Sequence, residues 1–324
     1  MTGEVDRDGY DPFVAGRFPV GVRTIQARDA ARDRVFACDI WYPATGEPGT
    51  AARPGTYPLI VYSHPSHAHR RAATFLCTHL SGHGYVVAAL DHREGEPAER
   101  KIAERVPDVR FLLDHLLEGP GWHSEARLDP ARIGIVGHSF GGWTALAAPD
   151  VESRIHAVVA LAPGGASRRK PGILPLTLAF AWGRDVPTLY LVAEDDAYLP
   201  LAGMHELYER TPATRQMVIL RRADHYHFMD DAEERHEAAR ATPFTGELAW
   251  IPRDMRPMTE LCSGAQAHVF VRGLTLCHMD AALGRREEAR RLLGSDLEAT
   301  LAARGVAIAT VLRAPLGAGG PSRG

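Results

Sequence analysis

The chain has 324 residues, 45% of them hydrophobic and 24% charged, the composition of an ordinary globular protein with enough apolar material for a real core. Its 37 basic and 40 acidic side chains leave a formal net charge of -3, a field too weak to favour nucleic acid or an anionic membrane surface, so a small molecule is the expected partner. Cys38, Cys77, Cys262 and Cys277 show no C-x-x-C spacing and read as free thiols. The polar start Met1 to Asp8 lacks the apolar core of a signal peptide, and no later run approaches the ~18 apolar residues of a membrane span. A cytoplasmic location is the expectation.

Val20 to Ala27 and Val35 to Tyr42 are dense in β-formers and predict an antiparallel hairpin at a sheet edge, followed by a loop over 44–56. Tyr57 to Ser63 predicts a strand buried on both faces, Arg71 to Leu80 a helix stopped by Gly82 and Gly84, and Tyr85 to Leu90 the next strand. Pro107 is expected in the first turn of a helix whose apolar face is Val109, Leu112, Leu113, Leu116 and Leu117. Strands over Ile133 to Val136, Ile155 to Ala162, Pro187 to Ala193 and Met217 to Leu220 continue the alternation. Residues 164–185 form an insertion with a basic turn (Arg168, Arg169, Lys170) and a proline-broken apolar run ending at Trp182. It suits a lid over the site and equally a packed excursion. A helix over Asp230 to Ala241, a Pro-rich connection and helices over about 264–302 follow. Residues 306–311 read as a late strand or a docked tail, and 316–324 as a disordered tail. The fold class is therefore α/β, a single domain over 1–315 with a mostly parallel central sheet flanked by helices, a lid-like insertion and a helical C-terminal segment over about 243–302.

The chemistry concentrates at Gly137-His138-Ser139-Phe140-Gly141, which joins an apolar strand to the helical run Trp143 to Ala147. This is the pattern of a nucleophile elbow. Such a turn strains the serine backbone, side chains at 137 and 141 would collide with strand and helix, and the N–H of Phe140 faces the place where an oxyanion would form. A serine hydroxyl needs a base within reach and a carboxylate to orient that base. Glu194-Asp195-Asp196 stands at the carboxyl end of one strand and Ala223-Asp224-His225-Tyr226-His227 at the end of another, in the order serine, acid, histidine. Asp196 is the preferred acid with Asp195 the alternate. His225 is the preferred base, and His227 is a pocket or core residue.

Pro58 to His64 running into Arg70, Gly84 to Arg93, the elbow, and Ala223-Asp224-His225 before Phe228 together resemble the alpha/beta-hydrolase superfamily, in particular bacterial dienelactone-hydrolase-like and platelet-activating-factor-acetylhydrolase-like esterases. The resemblance implies Ser139 as nucleophile, Asp196 as acid, His225 as base, and an oxyanion hole from Phe140 plus a residue of the loop after His64. Many relatives read His-Gly there. This chain has His64-Pro65-Ser66-His67, and proline offers no N–H, so Ser66 is expected to be the second donor with His67 the alternate. Pro65, His138, Phe180, Trp182 and His227 are expected to line the substrate pocket. His64, His67 and His69 share one loop without an adjacent acid, which argues for a bracing role and no metal, and the mechanism needs no cofactor. The expected activity is hydrolysis of a carboxylic ester, lactone or thioester of a small apolar substrate through an acyl-enzyme. An acyltransferase or cyclase using the same triad and a non-catalytic binding protein are the alternatives. The oligomeric state stays open, a homodimer included.

Overall fold

A computed structural model of the chain describes residues 9–46, 51–119, 122 and 125–315. Runs of β-branched and aromatic residues pair into one nine-stranded sheet: β1 (Val20–Asp29), β2 (Arg34–Pro43), β3 (Gly55–Ser63), β4 (Val86–Leu90), β5 (Ala126–His138), β6 (Ile155–Leu161), β7 (Thr188–Ala193), β8 (Arg215–Leu220) and β9 (Ile308–Ala314). Their order across the sheet is β1-β2-β4-β3-β5-β6-β7-β8-β9, with β4 through β8 parallel and both edges antiparallel. Residues 306–311 thus contribute to a true edge strand. The tail from 316 and the lead 1–8 lie outside the described residues.

Alternation along the central strands splits the core in two. Leu59, Val61, Ile135, Val158 and Tyr190 face α2 (Ala98–Glu118), α3 (Phe140–Ala147) and α4 (Leu201–Arg210). Ile60, Tyr62, Val136, Val159 and Leu189 face α1 (Thr74–Gly82) and α7 (Gly264–Ala282). The second face is closed by Phe270, Val271 and Leu274 of α7, so this late helix is a layer of the domain, capped at its start by Ser263 and Gln266 in reciprocal bonds. Burying each such side chain stabilises by roughly 1.5–3 kcal/mol. No helix among the described residues is long and apolar enough to cross a membrane.

One expectation needs correction. Pro107 is not in a first turn: α2 begins at Ala98, after Pro97, and Pro107 lies in mid-helix. The charged stretch 98–106 hides the first turns because its side chains find partners, Arg100 pairing with Glu96 and Glu104, and Arg105 turning inward. The lid-like insertion contains no helix or strand, and its apolar half is packed. Leu176, Leu178 and Trp182 are buried in the core, Trp143 Nε1 donates to the Thr177 carbonyl at 2.7 Å, and Trp182 Nε1 donates to the Leu146 carbonyl at 3.2 Å.

Candidate active site

Ser139 is the single residue between the end of β5 and the start of α3, with φ 57° and ψ -114°. A non-glycine residue there stores strain of about 1–3 kcal/mol, and surrounding bonds hold it in place. Its N–H donates to the Leu161 carbonyl at 2.9 Å, and its carbonyl accepts from Trp143 at 3.0 Å and Gly164 at 2.9 Å. A Cβ on Gly137 would stand 1.9 Å from the Gly141 oxygen, and one on Gly141 would stand 1.9 Å from the Ser63 oxygen. The glycines therefore press strand, helix and the end of β3 together, leaving Ser139 partly exposed at the carboxyl edge of the sheet.

Asp196 follows β7 and His225 opens a single helical turn after β8. His225 Nδ1 lies 2.8 Å from Asp196 Oδ2, and both residues are buried. The other oxygen of Asp196 accepts the N–H groups of Tyr198 and Leu199, each at 2.8 Å, which fixes the carboxylate without a cation. Burial opposes a charge on His225, but the Asp196 carboxylate and its hydrogen bond outweigh it and raise the His225 pKa above the ordinary 6.5. Asp195 points elsewhere and pairs with Arg256 at 3.3 Å. The His138 ring, wholly buried, lies 4.6 Å from the His225 ring, and the Tyr198 ring lies 5.1 Å from it. The residue before Ser139 in the chain thus packs against His225. His227 is a core residue: its Nδ1 accepts the Asp224 N–H at 3.0 Å, and Nε2 donates to the Cys262 carbonyl at 2.9 Å, so it caps its own turn.

The loop after β3 is braced by side chains. His64 Nδ1 donates to the Pro65 carbonyl at 2.7 Å, and its Nε2 accepts the His92 N–H at 3.0 Å. The His67 N–H donates to Glu94 at 3.0 Å and is therefore occupied. The N–H groups of Ser66 and Phe140 donate to nothing among the described residues. Pro65 is buried beside them. Phe180 and Trp182 lie away from this site. The eight-residue α3 is about 12 Å long, and Trp182 is bonded near its far end, with the Phe180 ring 5.7 Å from that of Trp182. They belong to the flank of α3, because the chain leaving the elbow has already packed down that helix by residue 177.

Arg105, Asp108 and Glu94 escaped sequence reasoning. Lys101, Arg105 and Asp108 recur with Val109 and Leu112 at helical spacing, a buried polar stripe continuing an apolar one, and that periodicity was the available signal. A cleft of about 700 Å³ opens between Ala98, Glu247 and the loop from Ser167 to Pro175. A smaller crevice shares Arg168, Arg169, Ile173 and Leu174 with it and reaches Tyr198, beside His225.

Known proteins agree with this architecture. A sequence profile described as PETase, PET hydrolase-like, matches residues 14–269. A cutinase, est1, of Thermobifida alba is 24% identical over 76% of this chain and 75% of its own. A bis(hydroxyethyl) terephthalate hydrolase of Streptomyces coelicolor is 26% identical over 58% of this chain and 54% of its own. A platelet-activating factor acetylhydrolase of Cavia porcellus is 26% identical over 33% of this chain and only 35% of its own length. Among solved structures, a ferulic acid esterase from Streptomyces cinnamoneus superposes with TM-score 0.64 at 23% identity, covering 84% of this chain and 92% of that one, a likeness of fold. With a strained Gly-x-Ser-x-Gly elbow on such a sheet and a family profile spanning most of its length, the chain belongs to the PET hydrolase-like family of alpha/beta-hydrolase serine esterases.

Proposed function

We propose that the protein hydrolyses a small, largely apolar carboxylic ester through an acyl-enzyme on Ser139. The observation that carries this reading is the buried His225–Asp196 pair at 2.8 Å, held at the edge of the sheet where the elbow presents its serine. His225 Nε2 takes the Ser139 proton as Oγ attacks the carbonyl carbon, and Asp196 stabilises the imidazolium that forms. The tetrahedral oxyanion is held by the Phe140 and Ser66 N–H groups, each worth on the order of 3 kcal/mol in the transition state. Collapse breaks the ester C–O bond, with His225 returning the proton to the leaving alcohol; water then repeats the sequence on the acyl-enzyme. Support for an apolar substrate comes from Tyr198 and Tyr226, whose hydroxyls meet at 3.0 Å beside His225, and from Trp250 against Tyr198 at 5.9 Å. The activities of the cutinase and terephthalate-ester relatives point the same way.

The test is turnover of p-nitrophenyl acetate through octanoate by wild type and Ser139→Ala, with fluorophosphonate labelling and peptide mapping. We expect loss of at least about 10³-fold in kcat in the variant and label on Ser139 alone. Undiminished turnover by Ser139→Ala overturns the assignment.

A further inference from the structure

The two proposed oxyanion donors come from separate parts of the chain, Ser66 from the loop after β3 and Phe140 from the start of α3. Something must hold them in register, and Pro65, lacking an N–H, removes one backbone bond by which the loop could have anchored itself. Arg105 meets both. It projects from α2, is wholly buried, and donates through Nη1 to the His64 carbonyl. Through Nη2 it donates to Glu94 Oε1 at 2.6 Å, while the other Glu94 oxygen takes the His67 N–H at 3.0 Å. Its guanidinium carbon stands 4.1 Å from the centre of the Phe140 ring. One planar cation thus grips residue 64, reaches 67 through a carboxylate, and lies over the side chain of the residue whose N–H is the other donor.

We infer that Arg105 is a positioning residue for the oxyanion hole, locking the Ser66 and Phe140 N–H groups into one rigid unit before substrate arrives. This rests on the reading of Ser139 as nucleophile. A guanidinium suits the task because its flat fork can bond two oxygens in plane and stack on a ring at once, which an ammonium cannot do. Burying it costs several kcal/mol unless it is paired. The facing groups are Glu94 from the loop before α2, Asp108 from its own helix, Tyr62 from β3, and the rings of His64 and His92. Burial pulls the Arg105 pKa down to about 10, against Glu94 and Asp108, so it remains a cation through the working range. The same cation helps depress His64 and His92, after the larger effect of their burial, and keeps both rings neutral braces.

The experiment compares kcat, KM, thermal midpoint and the pH profile of kcat in wild type, Arg105→Met, Arg105→Lys and Glu94→Ala. A misplacement of about 1 Å can cost on the order of 10²-fold, so Arg105→Met is expected to lose about 10- to 100-fold in kcat with KM changed little. Phosphonylation of Ser139, which uses the same hole, slows in parallel. Arg105→Lys recovers part of the loss at low pH, and its kcat then falls as pH rises, because burial lowers a lysine pKa by up to several units. Wild type and Arg105→Met lack that added limb. Should Arg105→Met not fold, Arg105→Lys and Glu94→Ala decide, the latter with a loss of several-fold in kcat. A folded Arg105→Met with wild-type kcat, or a lysine variant with the wild-type pH profile and only a lower midpoint, overturns the inference while Ser139-dependent turnover stands. Turnover that survives Ser139→Ala overturns both.

Discussion

Of the buried histidine–aspartate pairs among the described residues, two have nearly the same hydrogen-bond geometry. His225 Nδ1 lies 2.8 Å from Asp196, and His92 Nδ1 lies 2.9 Å from Asp108. His92 even has a serine, its Nε2 accepting from Ser63 Oγ at 3.0 Å. The surroundings differ. Asp196 is held by two backbone N–H groups and pairs with no arginine or lysine among the described residues, whereas Asp108 is gripped by Arg34 at 2.6 Å and Arg32 at 2.7 Å. Burial, then Arg105, Arg34 and Arg32, hold the His92 pKa well below the ordinary value, while His225 is raised. Ser63 is fully buried and Ser139 partly exposed. Hydrogen-bond geometry alone therefore does not make a base: the charge around the pair and the path to solvent decide, and the second array is a brace under the loop that follows β3.

Substituting the two aspartates separates the arrays most strongly. Asp196→Asn is expected to keep the fold and lose about 10⁴-fold in kcat, since the amide favours the wrong imidazole tautomer and no longer stabilises the imidazolium. Asp108→Asn leaves Arg34 buried and under-compensated. It should cost about 3–5 kcal/mol of stability while the folded molecules retain kcat within a few-fold. Urea unfolding and initial-rate kinetics on both variants read the two quantities, and a 10⁴-fold kcat loss in Asp108→Asn would break the distinction.

The pH dependence is a smaller effect with opposite signs at the two sites. In the proposed mechanism His225 must be neutral to accept the serine proton, so kcat/KM is expected to rise with pH through a value displaced above 6.5. Because Asp196 causes the displacement, the limb moves to lower pH in the residual activity of Asp196→Asn. A raised histidine pKa stabilises the fold fully below its unfolded value, and that contribution is lost as pH rises through the folded value. His92, depressed, behaves conversely: stability falls as pH drops through the unfolded value near 6.5, because the unfolded chain takes up a proton that the folded ring refuses. A limb in kcat/KM that stays in place in Asp196→Asn would show that another group sets it.

Much of this is legible in the amino-acid sequence. Buried runs in β3, β4 and β6 to β8, the glycines at 137 and 141, and acids and histidines after β7 and β8 carry their meaning in local pattern and strand order. What was not legible depends on distant partners. Phe180 and Trp182 read as a greasy pocket because an apolar run after an elbow says nothing about which side of α3 it will follow. Only the bonds to Leu146 and Thr177 decide that. Arg105 and Asp108 drew no reading because their compensating groups, Glu94, His64, Arg32 and Arg34, lie on other elements. The start of α2 was hidden because its first turns are charged and because a proline is common in a first turn and disfavoured in a helix interior.

The finest test removes one cation from the silent pair. Arg32 is the more exposed of the two arginines on Asp108, with 26% of its side chain accessible against 2% for Arg34, and it also bonds Asp29. It is the last and smallest of the influences lowering His92. Arg32→Gln should therefore raise the His92 pKa, visible as a shift of its imidazole titration by NMR, without bringing it to neutrality, because burial, Arg105 and Arg34 remain. Activity should stay within about twofold, the scale of a half-kcal/mol surface change. If the His92 titration did not move in this variant, the surrounding cations would not be what silences it, and the contrast between the arrays would have to rest on burial alone.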